Sequence, residues 1–119
     1  MNNDRTTSNV SSSIKQRANV IYLQLAQCLK ANSCGGRNAE ALHDMQILCD
    51  NLKSISSSFN ENADYLREKA SSLRGWAAIL YSPRKHAAYG ESGADRVHHS
   101  MLCNLVSIKS IIDRISDDS

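Results

Sequence analysis

Residues 42–80 read LHDMQILCDNLKSISSSFNENADYLREKASSLRGWAAIL, and one set of residues in this stretch recurs every seven positions. Met45, Leu52, Phe59, Leu66, Leu73 and Leu80 share one heptad position, d, and all are large and apolar. Leu42, Cys49, Ser56, Ala63, Ala70 and Ala77 share the partner position, a. A seven-residue period lays both sets along one stripe of an α-helix, and the small residues at a let a facing helix approach closely. Leu48, Ile55 and Trp76 at position g widen the stripe beyond what a two-stranded seam needs, which points to a bundle. No proline or glycine interrupts the pattern before Gly75. Asn38 to Tyr81 is therefore read as one helix, ~66 Å long if unbroken.

Shorter helices flank it. Ile14, Ala18, Ile21, Leu25 and Cys28 recur at spacings of three and four, predicting a helix from Ser13 to about Ala31 with Ser12 or Ser13 as its cap. Asn32 to Gly36 supplies a glycine turn. Ser82-Pro83 ends the long helix, because proline disfavours helical geometry in the residue before it. Arg84 to Tyr89 is expected as a short turn of helix and Gly90 to Gly93 as a loop. A last helix from about Ala94 to Ser116 would bury Val97, Met101, Leu105, Ile108, Ile112 and Ile115. Residues 1–12 have almost nothing to bury and read as a disordered arm before a single helical domain, 13–119.

A seam this long has a consequence. The flanking helices are too short to cover all of it, so an apolar strip would face water unless a second chain lies on it. The expected fold is thus all-α, a helical hairpin with one long central helix, paired as an antiparallel homodimer into a four-helix bundle. The poor helix formers Ser56-Ser57-Ser58 and Asn60-Glu61-Asn62 leave one alternative, a break that folds the chain into a monomeric four-helix bundle. The heptad phase runs through them unchanged, which favours the unbroken helix.

Composition narrows the function. At 119 residues, with 41% hydrophobic content, one proline and five glycines, the chain fits one modest helical core. It has no apolar run long enough to span a membrane and a polar N-terminus, so a cytoplasmic protein is expected. Its four cysteines, Cys28, Cys34, Cys49 and Cys103, lack CxxC spacing and are expected to be reduced. There is no phosphate loop, nucleophile elbow or paired-carboxylate motif, so neither an enzyme nor a cofactor is expected. His99 and Cys103 lie four apart on one helical face, but no second such pair completes a zinc site within the sequence, and no metal is expected.

The net charge of +2 announces no nucleic-acid binder by itself, so placement decides. Position e of the long helix reads Gln46, Lys53, Asn60, Arg67, Arg74 and Tyr81, without an acid. Lys69 lies beside this row, and Arg84 and Lys85 follow its end. Asp44, Asp50, Glu61, Asp64 and Glu68 gather at positions b, c and f. Such a basic row is either the solvated edge of a coiled coil or a rod-like stripe laid along a nucleic-acid backbone, touching phosphates and 2′-hydroxyls.

Arg67-Glu68-Lys69, then Arg74, then Pro83 followed by Ala88-Tyr89 and a glycine resembles the end of the long helix in the small RNA-silencing suppressors of insect nodaviruses. That resemblance implies an all-helical antiparallel dimer, one face of which lies along double-stranded RNA without reading its sequence. It implies shielding of the RNA from dicing and loading, with Arg67, Lys69 and Arg74 as phosphate or ribose contacts. The e row adds Lys53 to these, and Arg84 and Lys85 extend the surface. The reading from a different class is a helical protein-interaction module, such as a chaperone, adaptor or inhibitor, whose partner surface would be the seam.

Overall fold

A computed structural model describes residues 10–32, 37–59 and 62–115. Among the described residues four helices follow one another, α1 (Val10–Ala31), α2 (Ala39–Ser56), α3 (Ala63–Tyr81) and α4 (Pro83–Arg114), and no strand occurs. Each helix packs on two others, α1 and α3 both lying against α2 and α4, while the diagonal pairs stay apart. This is an up-down-up-down four-helix bundle, 54 × 26 × 19 Å in extent. The fold is all-α as expected. None of its described helices is long and apolar enough to cross a membrane.

The single helix expected over 38–81 is instead two, because the chain reverses between Ser56 and Ala63. Serine hydroxyls start the break. Ser56 Oγ donates to the Lys53 carbonyl at 2.6 Å and Ser57 Oγ to the Ser54 carbonyl at 3.1 Å. Hydroxyls bonded back in this way compete with the helical ladder. The Ser58 and Phe59 amides then donate three residues back, to Ile55 and Ser56, both at 3.0 Å, a tightening typical of a helix end. Asn62 adopts a left-handed conformation (φ 61°, ψ 14°), which asparagine tolerates better than most residues, and α3 follows.

The reversal folds the seam onto itself. Met45 and Leu52 of α2, Leu66, Leu73 and Leu80 of α3, and Phe59 between them are all buried within one chain. Small residues at the partner position, Cys49, Ser56, Ala70 and Ala77, are buried beside them. Leu25 of α1 and Met101, Ile108, Ile111 and Ile112 of α4 close the other two sides. The seam therefore needs no second chain to cover it. Asn104, a buried polar residue of α4, donates its side-chain amide to Ser72 Oγ at 3.0 Å.

The flanks follow the sequence with two corrections. Ser82 is extended and caps α4, its Oγ accepting from the Lys85 amide, with Pro83 in the first turn where a missing N–H costs nothing. The loop expected over Gly90 to Gly93 shrinks to a kink at Gly90 alone (φ 71°, ψ 179°), and helix resumes at once. Tyr89 covers Gly93, where an added Cβ would come within 3.1 Å of the Tyr89 Cβ. The second correction is that α1 begins at Val10, inside the stretch expected to be an arm, while residues 1–9 lie outside the described residues, as do Cys34 and Ser116–Ser119.

Cys28, Cys49 and Cys103 are free thiols. Burial pushes the Cys49 thiol up to about 12, with Asp50 adding and Arg74 and Lys53 partly offsetting. Burial also raises Cys28, helped by Asp44. A raised pKa means that the folded state holds the proton more tightly. Cys49 thus contributes stability below the ordinary thiol value of 9.0, and this is lost as pH climbs toward 12.

Two measurements check this architecture. Gly90→Ala should cost about 1–3 kcal/mol, since only glycine accepts that backbone geometry, whereas Gly75→Ala, on an exposed turn of α3 with open space around it, should gain about 0.5–1 kcal/mol. Urea unfolding followed by circular dichroism reads both. Of the three described thiols in the native protein, a reagent should modify Cys103 first and Cys49 only upon unfolding, the raised pKa alone reducing the thiolate fraction about a thousandfold. Mass spectrometry of time points gives the order.

Candidate nucleic-acid interface

Core packing fixes how α2 and α3 are rotated. Leu42, Met45, Cys49 and Leu52 point inward from α2, and Leu66, Ala70, Leu73 and Ala77 from α3. Position e of each helix consequently lands on the rim of the groove between them. The row expected along one long rod is folded in half, with Gln46 and Lys53 on one bank and Arg67, Arg74 and Tyr81 on the other. Two contacts fix the antiparallel register. Arg74 Nε donates to Asp50 Oδ1 at 2.8 Å, and the His43 ring lies 5.8 Å from the Tyr81 ring, centroid to centroid.

From Asp50 to Lys53 the chain runs against the direction of α3, so Lys53 falls between the levels of Arg74 and Arg67. Three cations thus alternate across the groove. Lys53 is half-buried and has no carboxylate partner among the described residues. Arg67 and Arg74 are each engaged. Arg67 Nη1 meets Asp64 Oδ1 at 2.9 Å on its own helix, and Arg74 meets Asp50 across the groove. Both acids occupy heptad position b, which borders e on the helix surface, so the acid-free row has acids one step away. These pairs are exposed, worth about 0.2–1 kcal/mol each, and an arginine can leave such a partner for a phosphate at small cost.

The remaining cations lie elsewhere. Lys69 sits on the other flank of α3, the one facing α4, with its ammonium 5.1 Å from the centroid of the Tyr65 ring. Arg84 and Lys85 are exposed in the first turn of α4, at the end of the bundle where α3 leaves off. Of the six cations singled out from the sequence, Lys53, Arg67 and Arg74 come together and the other three do not join them on this groove.

One cation escaped the sequence reading. Arg37, just before α2, donates Nε to the Leu80 carbonyl at 2.9 Å and Nη2 to the Tyr81 carbonyl. A guanidinium there satisfies carbonyls at the end of α3 and opposes the negative end of its dipole. No local signal announces this, since the partners are 43 and 44 residues apart. The assembled face carries Arg37, Lys53, Arg67 and Arg74 with His43 and Tyr81, against Asp50 and Asp64.

Chemistry of other kinds has little to work with. No group of three or more His, Cys, Asp or Glu side chains is placed to hold a metal among the described residues. The groove between α1 and α2, lined by Gln24, Cys28, Ala31, Asp44 and Leu48, is open and holds no histidine. Comparison with protein families, with curated proteins and with solved structures finds no match.

Proposed function

We propose that the α2/α3 face binds double-stranded RNA through its backbone, without reading sequence, and that this shields the duplex from dicing and loading in the host cytoplasm. One observation carries the reading: Lys53, Arg67 and Arg74, drawn from two separate helices, line the two rims of a single groove. Arg67 and Arg74 are one heptad apart, about 10.5 Å along α3, so they point the same way toward separate phosphates, with Lys53 between them on the opposite bank. Tyr81 and Gln46 add hydrogen-bonding groups for 2′-hydroxyls. A-form RNA hides its base edges in a deep, narrow groove, so a rigid helical face meets phosphates and riboses instead.

The resemblance to nodaviral suppressors supports the same reading through Arg67 and Arg74, and the antiparallel helix pair it implies is supplied here by one chain. A homodimer would present two such faces. The interaction-module reading loses the surface it relied on, because the seam is filled from within the chain.

Fluorescence anisotropy on two unrelated RNA duplexes and a DNA duplex tests this. Wild type should bind both RNAs equally and more tightly than DNA, weakening steeply with salt as counterions are displaced. Lys53→Ala and Arg74→Ala should each weaken binding alike on both sequences and lower the salt slope by about 1 per site. Asp50→Asn frees Arg74 and should tighten binding, by up to about fivefold given the worth of an exposed pair. Absence of RNA binding by wild type at about 100 mM salt, or variants that all bind like wild type, would sink the proposal.

A further inference from the structure

Helix α4 carries two apolar stripes. Val97, Met101, Leu105, Ile108 and Ile112 form the inner one and fill the core. The outer one is His99, Leu102, Cys103 and Val106, spaced i, i+3, i+4, i+7, the pattern of a helix that packs on another helix. Among the described residues no helix covers it, and Leu102 and Val106 stay exposed. Leu102 is 45% and Val106 61% exposed, and Leu23 of the neighbouring α1 is 58% exposed. None of the four carries a fixed charge, so a like surface can approach without repulsion.

The stripe also holds two metal-ligating atoms in position. His99 Nε2 lies 3.7 Å from Cys103 Sγ. A tetrahedral zinc-class ion, with metal–nitrogen and metal–sulfur bonds of about 2.05 and 2.3 Å, spans an N···S separation of about 3.6 Å. The pair therefore already stands at about the separation that such an ion would span. It is only half a site, since no third ligating side chain joins it among the described residues. Closed tetrahedral sites take four ligands.

We propose that His99 and Cys103 form half of a divalent-metal site of the zinc class, completed by the same two residues of a second copy of this chain. The two α4 helices pack on their outer stripes across a two-fold axis passing through the ion, giving a Cys2His2 set and covering Leu102 and Val106 on both sides. Each thiol gives its proton to solvent and binds as thiolate, while each histidine binds through neutral Nε2. The other described thiols do not compete, Cys49 being buried and Cys28 partly so. This pairing uses the side of the bundle away from α2 and α3, so it is independent of the RNA proposal and leaves that face free.

Cobalt(II) titration of the full reduced chain, with light scattering on the same samples, tests it. The expected result is the intense visible absorption of tetrahedral cobalt with a thiolate charge-transfer band, saturating at one cobalt per two chains as the mass doubles, and reversed by EDTA. Cys103→Ser and His99→Ala should each lose the band and the dimer at least tenfold in cobalt concentration. Both sites are exposed, so circular dichroism should stay unchanged. Val106→Asp should keep the fold and weaken cobalt binding through lost pairing, whereas Cys34→Ser and Cys28→Ser should behave as wild type. Saturation at one cobalt per chain without a change of mass, no band at millimolar cobalt, or a band that survives Cys103→Ser would each overturn the proposal.

Discussion

An apolar seam longer than any other element can cover is the constraint from which the rest of this structure follows. Six large side chains from Met45 to Leu80 must leave water, and each is worth about 1.5–3 kcal/mol when fully buried. A straight helix would strand much of that surface. Folding the seam in two at the serines lets one half cover the other, at the expense of a few helical hydrogen bonds that Ser56 and Ser57 partly replace. Phe59, 6% exposed, plugs the bundle at the reversal and belongs to both halves of the pattern.

Burial of the seam also sets the rotation of α2 and α3, and so decides what the surface shows. Residues adjoining the seam on the shared side are brought face to face, which turns a linear row of cations into a two-sided groove. The same packing brings Asp50 across from Arg74, so the arginines of the face are held by its own acids and an anion would have to displace Asp50 to reach Arg74. Arg37 ties the loop before α2 to the last carbonyls of α3, holding that end of the groove together.

The bundle has two sides with different properties. The α2/α3 side is polar and carries the alternating cations. The α1/α4 side exposes Leu23, Leu102 and Val106 beside a histidine–cysteine pair. A helix with apolar residues on opposite faces has two surfaces to satisfy, and the described residues cover only one of those on α4. Pairing of copies through α4 would leave both cation grooves pointing outward.

Helical character, the seam residues, the stop at Ser82-Pro83 and the free buried thiols were determined by the sequence, since each depends on local propensity and on which side of a helix a residue occupies. Whether Leu52 and Leu66 lie on one helix or two was not, because Phe59 sits seven residues from each and α3 takes up the same heptad phase that α2 left. Periodicity records which way a side chain faces, and that is the same on both sides of such a reversal. The grouping of Lys53 with Arg67 and Arg74, the separation of Lys69 from them and the reach of Arg37 to Leu80 arose only in the tertiary structure. Those contacts join residues far apart in the chain, and the physical reason they form is the burial of the seam, which no local stretch of sequence expresses.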